Sequence, residues 1–392
     1  MSSRSAWLPI AVIYIAGVLA SAQLGKMSAL LPLMRHDLSL DLTTAALLVS
    51  LIEIGGATLG LFAGLAVRRA GPRNALLAGL LLLALASVGM SATSAAAGLY
   101  LWRLVEAAAY LALVVAAPTL VIAVASAAQR ATALALWSTF FPVGFACGSV
   151  LAGVAADLVP WRMVLLGSGV ITALLLVPAW RLPAPRDGAR SDGLHPLQAP
   201  AGAWLLALGF ACYTVFEVGM LAVLPSYFAG RYGLAPSTAG LVTGAAAGAT
   251  VLGGILAAWW MRGNRPTGGL MAVSIAVPAL LLFLVFAPLD EAWAWPAAAA
   301  IALNALSGVV PALVFARLPE VVGPRGNMAT ANGLLAQGGA SGSLLGPPLL
   351  AGAATQWGWT AAAGAGLVAS LLCLALLALS AQAHATWSVS RR

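Results

Sequence analysis

Five ionisable side chains stand inside long apolar stretches: Lys26, Glu53, Arg103, Glu106 and Glu217. A charge held away from water is costly, so each is a candidate for function or for a paired structural role. Glu53 and Glu217 fall near the middle of their stretches. A carboxyl group at that depth can take up and release a proton, as proton coupling requires; kept protonated or paired with a base, it would serve packing alone. Arg103 and Glu106 are three residues apart, so one helical face carries both and they can pair. Lys26, the only lysine, has Gln23 one turn before it on the same face. It can meet an anionic solute, form half of a breakable ion pair, or snorkel toward a helix end. Asn304, Asn332 and Gln337 add neutral donors and acceptors, which also serve as interhelical glue.

These side chains need helices that cross a membrane. The chain has 392 residues, 62% of them hydrophobic and only 8% charged, with 19 basic and 11 acidic side chains. A soluble domain carries about 25% charged residues, which excludes soluble enzymes and binding modules. A span needs about 20 apolar residues, and the apolar runs predict twelve: roughly 7–31, 43–67, 75–95, 97–124, 131–157, 162–180, 202–229, 237–260, 267–287, 293–317, 328–355 and 359–382. Pro32 and Pro225 read as helix ends. Most of the basic residues, among them Arg4, Arg68, Arg69, Arg73, Arg130, Arg181, Arg186, Arg190, Arg262, Arg265, Arg317, Arg325, Arg391 and Arg392, fall on one side. The positive-inside rule then puts both termini in the cytoplasm. The net charge of +8 reflects this bias and implies no nucleic acid. Ala20-Ser21-Ala22 mimics a signal-peptide cleavage site, but the apolar run continues past it and no cleavage is expected. Most tryptophans lie near span ends, as an aromatic belt does; Trp137 and Tyr213 lie within spans, with core packing the favoured role.

The three histidines, His36, His195 and His384, fall outside the spans without metal-ligand spacing, and the three cysteines read as small packing residues. No Gly-Lys-Ser or Gly-Lys-Thr motif for a nucleotide motor occurs. No metal, cofactor or enzymatic activity is expected.

An internal repeat divides the chain. Leu40–Leu47 aligns with Leu234–Leu241, Gly60 with Gly254, Arg68 with Arg262, Gly148 with Gly346 and Trp161 with Trp359. Two six-helix halves, 1–181 and 202–392, follow, with a cytoplasmic linker at 182–201. Parallel repeats of this kind are the architecture of alternating-access secondary transporters.

At this point the whole chain resembles the major facilitator superfamily. The loop from Gly64 through Arg68, Arg69 and Gly71 to Arg73 is similar to that family's cytoplasmic glycine-and-basic signature. Arg103-Leu104-Val105-Glu106 is similar to its arginine signature, and Gly144, Gly148, Gly153 and Trp161-Arg162 to its glycine-rich fifth span and the loop after it. The resemblance implies an all-α integral membrane protein with twelve transmembrane helices in two pseudo-symmetric bundles. It implies gating roles for Gly64, Arg68, Arg69, Gly71, Arg73, Gly148 and Gly346, and a link between Arg103 and proton transfer. Two positions depart from the pattern. Arg68 stands where the family carries an Asp that helps lock the cytoplasmic gate, and Gly148-Ser149 replaces the Gly-Pro of many antiporters, which the second half retains as Gly346-Pro347.

The expected function is secondary transport of a small organic solute across a bacterial inner membrane. Proton coupling is assigned to Glu217, Glu53, Arg103 and Glu106, and substrate contacts to Gln23, Lys26, Asn304, Asn332 and Gln337. Efflux is slightly favoured over uptake of a small organic anion, and a transporter-like sensor is the remote alternative. The partners are substrate, protons and the lipid bilayer, with a monomer expected.

Overall fold

The computed structural model describes residues 7–184, 199–263, 265–287, 292–323 and 327–389. Most of the expected linker lies outside these residues, as do Arg4, Arg186, Arg190, His195, Arg325, Arg391 and Arg392. All secondary structure among the described residues is helical. The helices are α1 (Trp7–Leu38), α2 (Leu42–Ser50), α3 (Ile54–Ala70), α4 (Pro72–Ser91), α5 (Ala96–Val124), α6 (Ala127–Trp137), α7 (Phe140–Ala156) and α8 (Trp161–Ala179). They continue as α9 (Ala201–Tyr232), α10 (Pro236–Arg262), α11 (Gly268–Val285), α12 (Ala294–Ser307), α13 (Val309–Val322), α14 (Met328–Trp357) and α15 (Trp359–Val389).

Among the described residues, ten helices or joined helix pairs are long and apolar enough to cross a membrane, and the bent pair α6–α7 makes an eleventh. The remaining predicted span, α14, is 30 residues long. It falls short in apolarity because glycine, serine, threonine, asparagine and glutamine interrupt it. Helix starts follow local chemistry. Asp41 caps α2 by accepting from the Thr44 N–H at 2.9 Å, and Pro72 and Pro236 occupy first-turn positions of α4 and α10 where no N–H is needed.

Three predicted spans are broken. A 3-10 turn at Leu51–Glu53 separates α2 from α3, α6 and α7 meet at 44°, and Gly308 separates α12 from α13. Pro32 and Pro225 do not end their helices, contrary to the sequence reading; both lie inside α1 and α9. In an apolar setting a helix tolerates proline where a neighbour takes the carbonyl it frees. Pro225 displays this directly: Ser28 of α1 donates to the Leu221 carbonyl, four residues before the proline, at 2.8 Å.

Within α1–α8, α1 packs along α7 and α4 along α5; within α9–α15, α9 packs along α14 and α15. The two sets meet on three seams, α7 with α10, α2 and α3 with α14, and α1 with α9. Close approach on these seams depends on missing side chains. A methyl group at Gly153 would lie 2.5 Å from the Pro236 carbonyl oxygen, and one at Gly240 would lie 2.5 Å from that of Ser149. On the seam between α3 and α14, Gly56 faces Ala340 and Gly60 faces Gln337. Further along the same helices, a methyl group at Gly64 or Gly254 would meet nothing within 4 Å. Contact at these glycine positions is therefore tight toward the end where α1 finishes, while Gly64 and Gly254, toward the end where it begins, have open space beside them.

Candidate functional site

The buried charges gather inside the first set of helices. Lys26 on α1 is 3% exposed, which rules out snorkelling in this conformation. Its ammonium donates to the Ser87 hydroxyl of α4 at 2.6 Å, to Ser168 of α8 at 3.3 Å and to Glu106 of α5 at 3.5 Å. Gln23 joins the same cluster: its side-chain oxygen accepts from Ser87 at 3.3 Å and from Ser168 at 3.4 Å.

Arg103 is fully buried and its guanidinium is used on every side. It pairs with Glu106, as their spacing predicts. It also donates to the carbonyls of Leu48 at 2.8 Å and Val49 at 2.6 Å. Those carbonyls belong to the last turn of α2, where the 3-10 turn disrupts the helical ladder. Arg103 thus satisfies backbone groups that the break would otherwise leave bare. Glu53 closes that turn, is 4% exposed, and lies within hydrogen-bonding reach of the Tyr110 hydroxyl with Arg103 nearby. It also sits beside Gly56, at the seam with α14.

Glu217 stands apart from this cluster, on α9. It too is 4% exposed. The Thr250 hydroxyl of α10 lies within reach of it, and Tyr213 stands one turn earlier on the same helix. Among the described residues no basic side chain forms an ion pair with it.

The amides are dispersed. Asn304 is fully buried and donates to Ala300 of its own helix at 2.8 Å; Asn332 is exposed and bonds Met328 on its own helix. Gln337 crosses the seam from α14 to donate to the Ala57 carbonyl at 2.8 Å. Of the residues assigned to gating, Gly64 has open space around it, while Gly71, at φ 83°, makes the turn between α3 and α4. Arg68 and Arg69 form the last turn of α3, and Arg73 bonds the Trp180 carbonyl and lies over the Trp180 ring. Gly148 abuts the α1 backbone at Ala22, and Gly346 abuts α9 at Val215. Trp137 stacks on Phe140 at 4.4 Å, in a packing role.

Ser87, Ser168, Tyr110, Thr250 and Ser307 were not singled out by sequence. Hydroxyls in apolar helices usually bond back to their own backbone, so type alone does not mark those that turn to a charge.

Comparison with known proteins bears on this arrangement. The family model for the Major Facilitator Superfamily matches residues 13–347. A Homo sapiens protein, "Monocarboxylate transporter 11", is 34% identical over 215 residues, 49% of this chain and 44% of that protein. The match therefore spans less than half of that relative's length. Among solved structures, a bacterial homolog to the human lysosomal transporter Spinster in an inward-facing and occupied conformation aligns with a TM-score of 0.76 and 16% identity, covering 99% of this chain and 97% of that one. The inward-facing and unoccupied form aligns at 0.71 and 16% identity, covering 98% and 97%. At such identity the likeness speaks for the fold alone. With its all-helical membrane architecture and a family match over most of its length, the chain belongs to the Major Facilitator Superfamily of transporters.

Proposed function

We propose that this secondary transporter moves a small organic solute across a bacterial inner membrane by alternating access of two halves, 1–181 and 202–392, and that protons drive it. One contrast among the buried acids carries the reading. Glu106 is fixed between Arg103 and Lys26, so it acts as a standing counter-ion. Among the described residues, Glu53 and Glu217 face hydroxyl groups and form no ion pair within 4 Å. A carboxyl group free of a committed base can exchange its proton without breaking a pair, and each lies beside a helix packed across a seam.

The concentration of Arg68, Arg69, Arg73, Arg181, Arg262 and Arg265 at one end of the helices supports cytoplasmic termini, and the end with open space beside Gly64 and Gly254 then faces the cytoplasm. Export is favoured by apolar surroundings with few charges. Uptake of a small organic anion is the second reading, supported by the two buried cations and by the partial likeness to a protein named as a monocarboxylate transporter.

Counterflow in proteoliposomes tests both readings. Vesicles loaded with lactate, pyruvate, neutral amino acids or a lipophilic cation are diluted into a trace of the labelled solute. Exchange of one class identifies the substrate. Binding without exchange for every class would contradict transport and favour a sensor.

A further inference from the structure

The described buried bases, Lys26 and Arg103, both belong to the first set of helices. The second set holds Glu217 beside a group of oxygen atoms. Tyr213 and Glu217 are four residues apart on α9 and share a face. Thr250 approaches Glu217 from α10, and Ser307 approaches Tyr213 from α12. The hydroxyl oxygens of Tyr213 and Thr250 are buried without closing a hydrogen bond of ordinary geometry. One turn before Ser307, the side-chain oxygen of the fully buried Asn304 is also unsatisfied. Buried polar atoms in apolar surroundings are normally satisfied, so the idle oxygens of Tyr213 and Thr250 beside one acid call for a ligand that accepts lone pairs.

We propose that Glu217, Thr250, Tyr213 and Ser307 form a binding site for a monovalent metal cation, Na+, between α9, α10 and α12. Hard cations take oxygen ligands, and divalent ions collect several carboxylates. A single carboxylate with neutral hydroxyls balances one positive charge and leaves the site neutral within the membrane. The site uses the carboxyl group that the preceding reading assigns to protons, so Na+ and H+ compete for it.

The test measures binding at equilibrium, without a gradient or a solute. Thermal unfolding of the purified full-length chain is followed by tryptophan fluorescence while NaCl replaces choline chloride at constant ionic strength, with KCl as a second control. A saturable rise in Tm specific to Na+ is expected, absent in Glu217→Gln. Thr250→Ala should raise the half-saturating Na+ concentration about tenfold, the effect of roughly 1.4 kcal/mol. Coincident Na+ and choline curves, or an unaltered Na+ response in Glu217→Gln, would overturn the proposal. Should Glu217→Gln not fold, an unchanged half-saturating concentration in Thr250→Ala overturns it. Proton coupling is judged separately, by flux in Na+-free vesicles, so the two readings can fail independently.

Discussion

The Ser28 hydroxyl on α1 donates to the Leu221 carbonyl on α9 at 2.8 Å, and to that of Ala222 at 3.1 Å. Leu221 is the carbonyl that Pro225 deprives of its helical donor. A proline within one span thus provides the acceptor that fastens another span to it, toward the end where the seam glycines are in tight contact. Ser28→Ala removes the bond, and Pro225→Ala restores an N–H that competes for the carbonyl. Each should weaken closure by about 1 kcal/mol, roughly a fivefold shift toward the opposite conformation. Distances between spin labels at the far ends of α1 and α9 measure this. An unchanged distance distribution in both variants would contradict it.

The three members of the buried charge cluster are unequal. Arg103 is bound to Glu106 and to two carbonyls at the break, whereas Lys26 meets Glu106 only at 3.5 Å. Arg103→Gln should destabilise the protein by about 3–5 kcal/mol, as loss of one partner of a buried pair does. Lys26→Met should cost about 2 kcal/mol, the scale of hydrogen bonds made by a charged group. Double-mutant cycles with Glu106→Gln should return the larger coupling for Arg103. Equal couplings would mean that the cluster shares its charge evenly.

A pH dependence follows at the exposed start of α2. The Asp41 carboxylate accepts from the Thr44 N–H at 2.9 Å and from its hydroxyl at 2.5 Å, and these bonds hold it below the usual aspartate range. Because the folded value is depressed, the contribution is complete above about pH 4, the unfolded value. It is lost as pH falls through the folded value. Asp41→Ala should therefore cost about 1 kcal/mol at neutral pH, and its difference from wild type should shrink toward pH 3. A gap that stays constant from pH 7 to pH 3 would assign the effect to something other than this cap.

Glycines on two of the seams should separate sharply. Gly153→Ala and Gly240→Ala place a methyl 2.5 Å from a facing carbonyl oxygen, whereas Gly64→Ala meets nothing within 4 Å. The first two should slow transport at least about tenfold and lower Tm; overpacking typically costs about 1–3 kcal/mol. Gly64→Ala should leave Tm within experimental scatter. Counterflow rates and melting curves of the three variants, taken together, decide the point.

Sequence carried the span pattern well, because a run of apolar residues is the signal itself. The extent of α9 and α10, the pairing of Arg103 with Glu106 and the mid-helix position of Glu217 are all legible. Helix rotation is not. In lipid, both the outward face and the packed face of a span are apolar, so hydrophobic periodicity fixes no phase. For that reason the partners of the Lys26 and Gln23 stripe, Ser87 and Ser168 within the first set of helices, are not legible in the sequence. The break at Leu51–Glu53 was hidden for a related reason: Arg103, on a different helix, satisfies its carbonyls, and no local residue announces that. Pro32 and Pro225 mislead because proline ends isolated helices but is tolerated inside packed spans; at Pro225 a neighbour, Ser28, takes up the freed carbonyl.

Solute-driven proton flux in Na+-free liposomes tests the central claim most directly. Purified protein is reconstituted with a pH-sensitive dye inside, and the solute identified by counterflow is added outside. The wild-type chain should give a solute-dependent pH change whose sign separates symport from antiport. Glu53→Gln combined with Glu217→Gln should abolish that change while solute exchange persists. A pH change of wild-type size in the double variant would contradict the assignment of protons to these two acids.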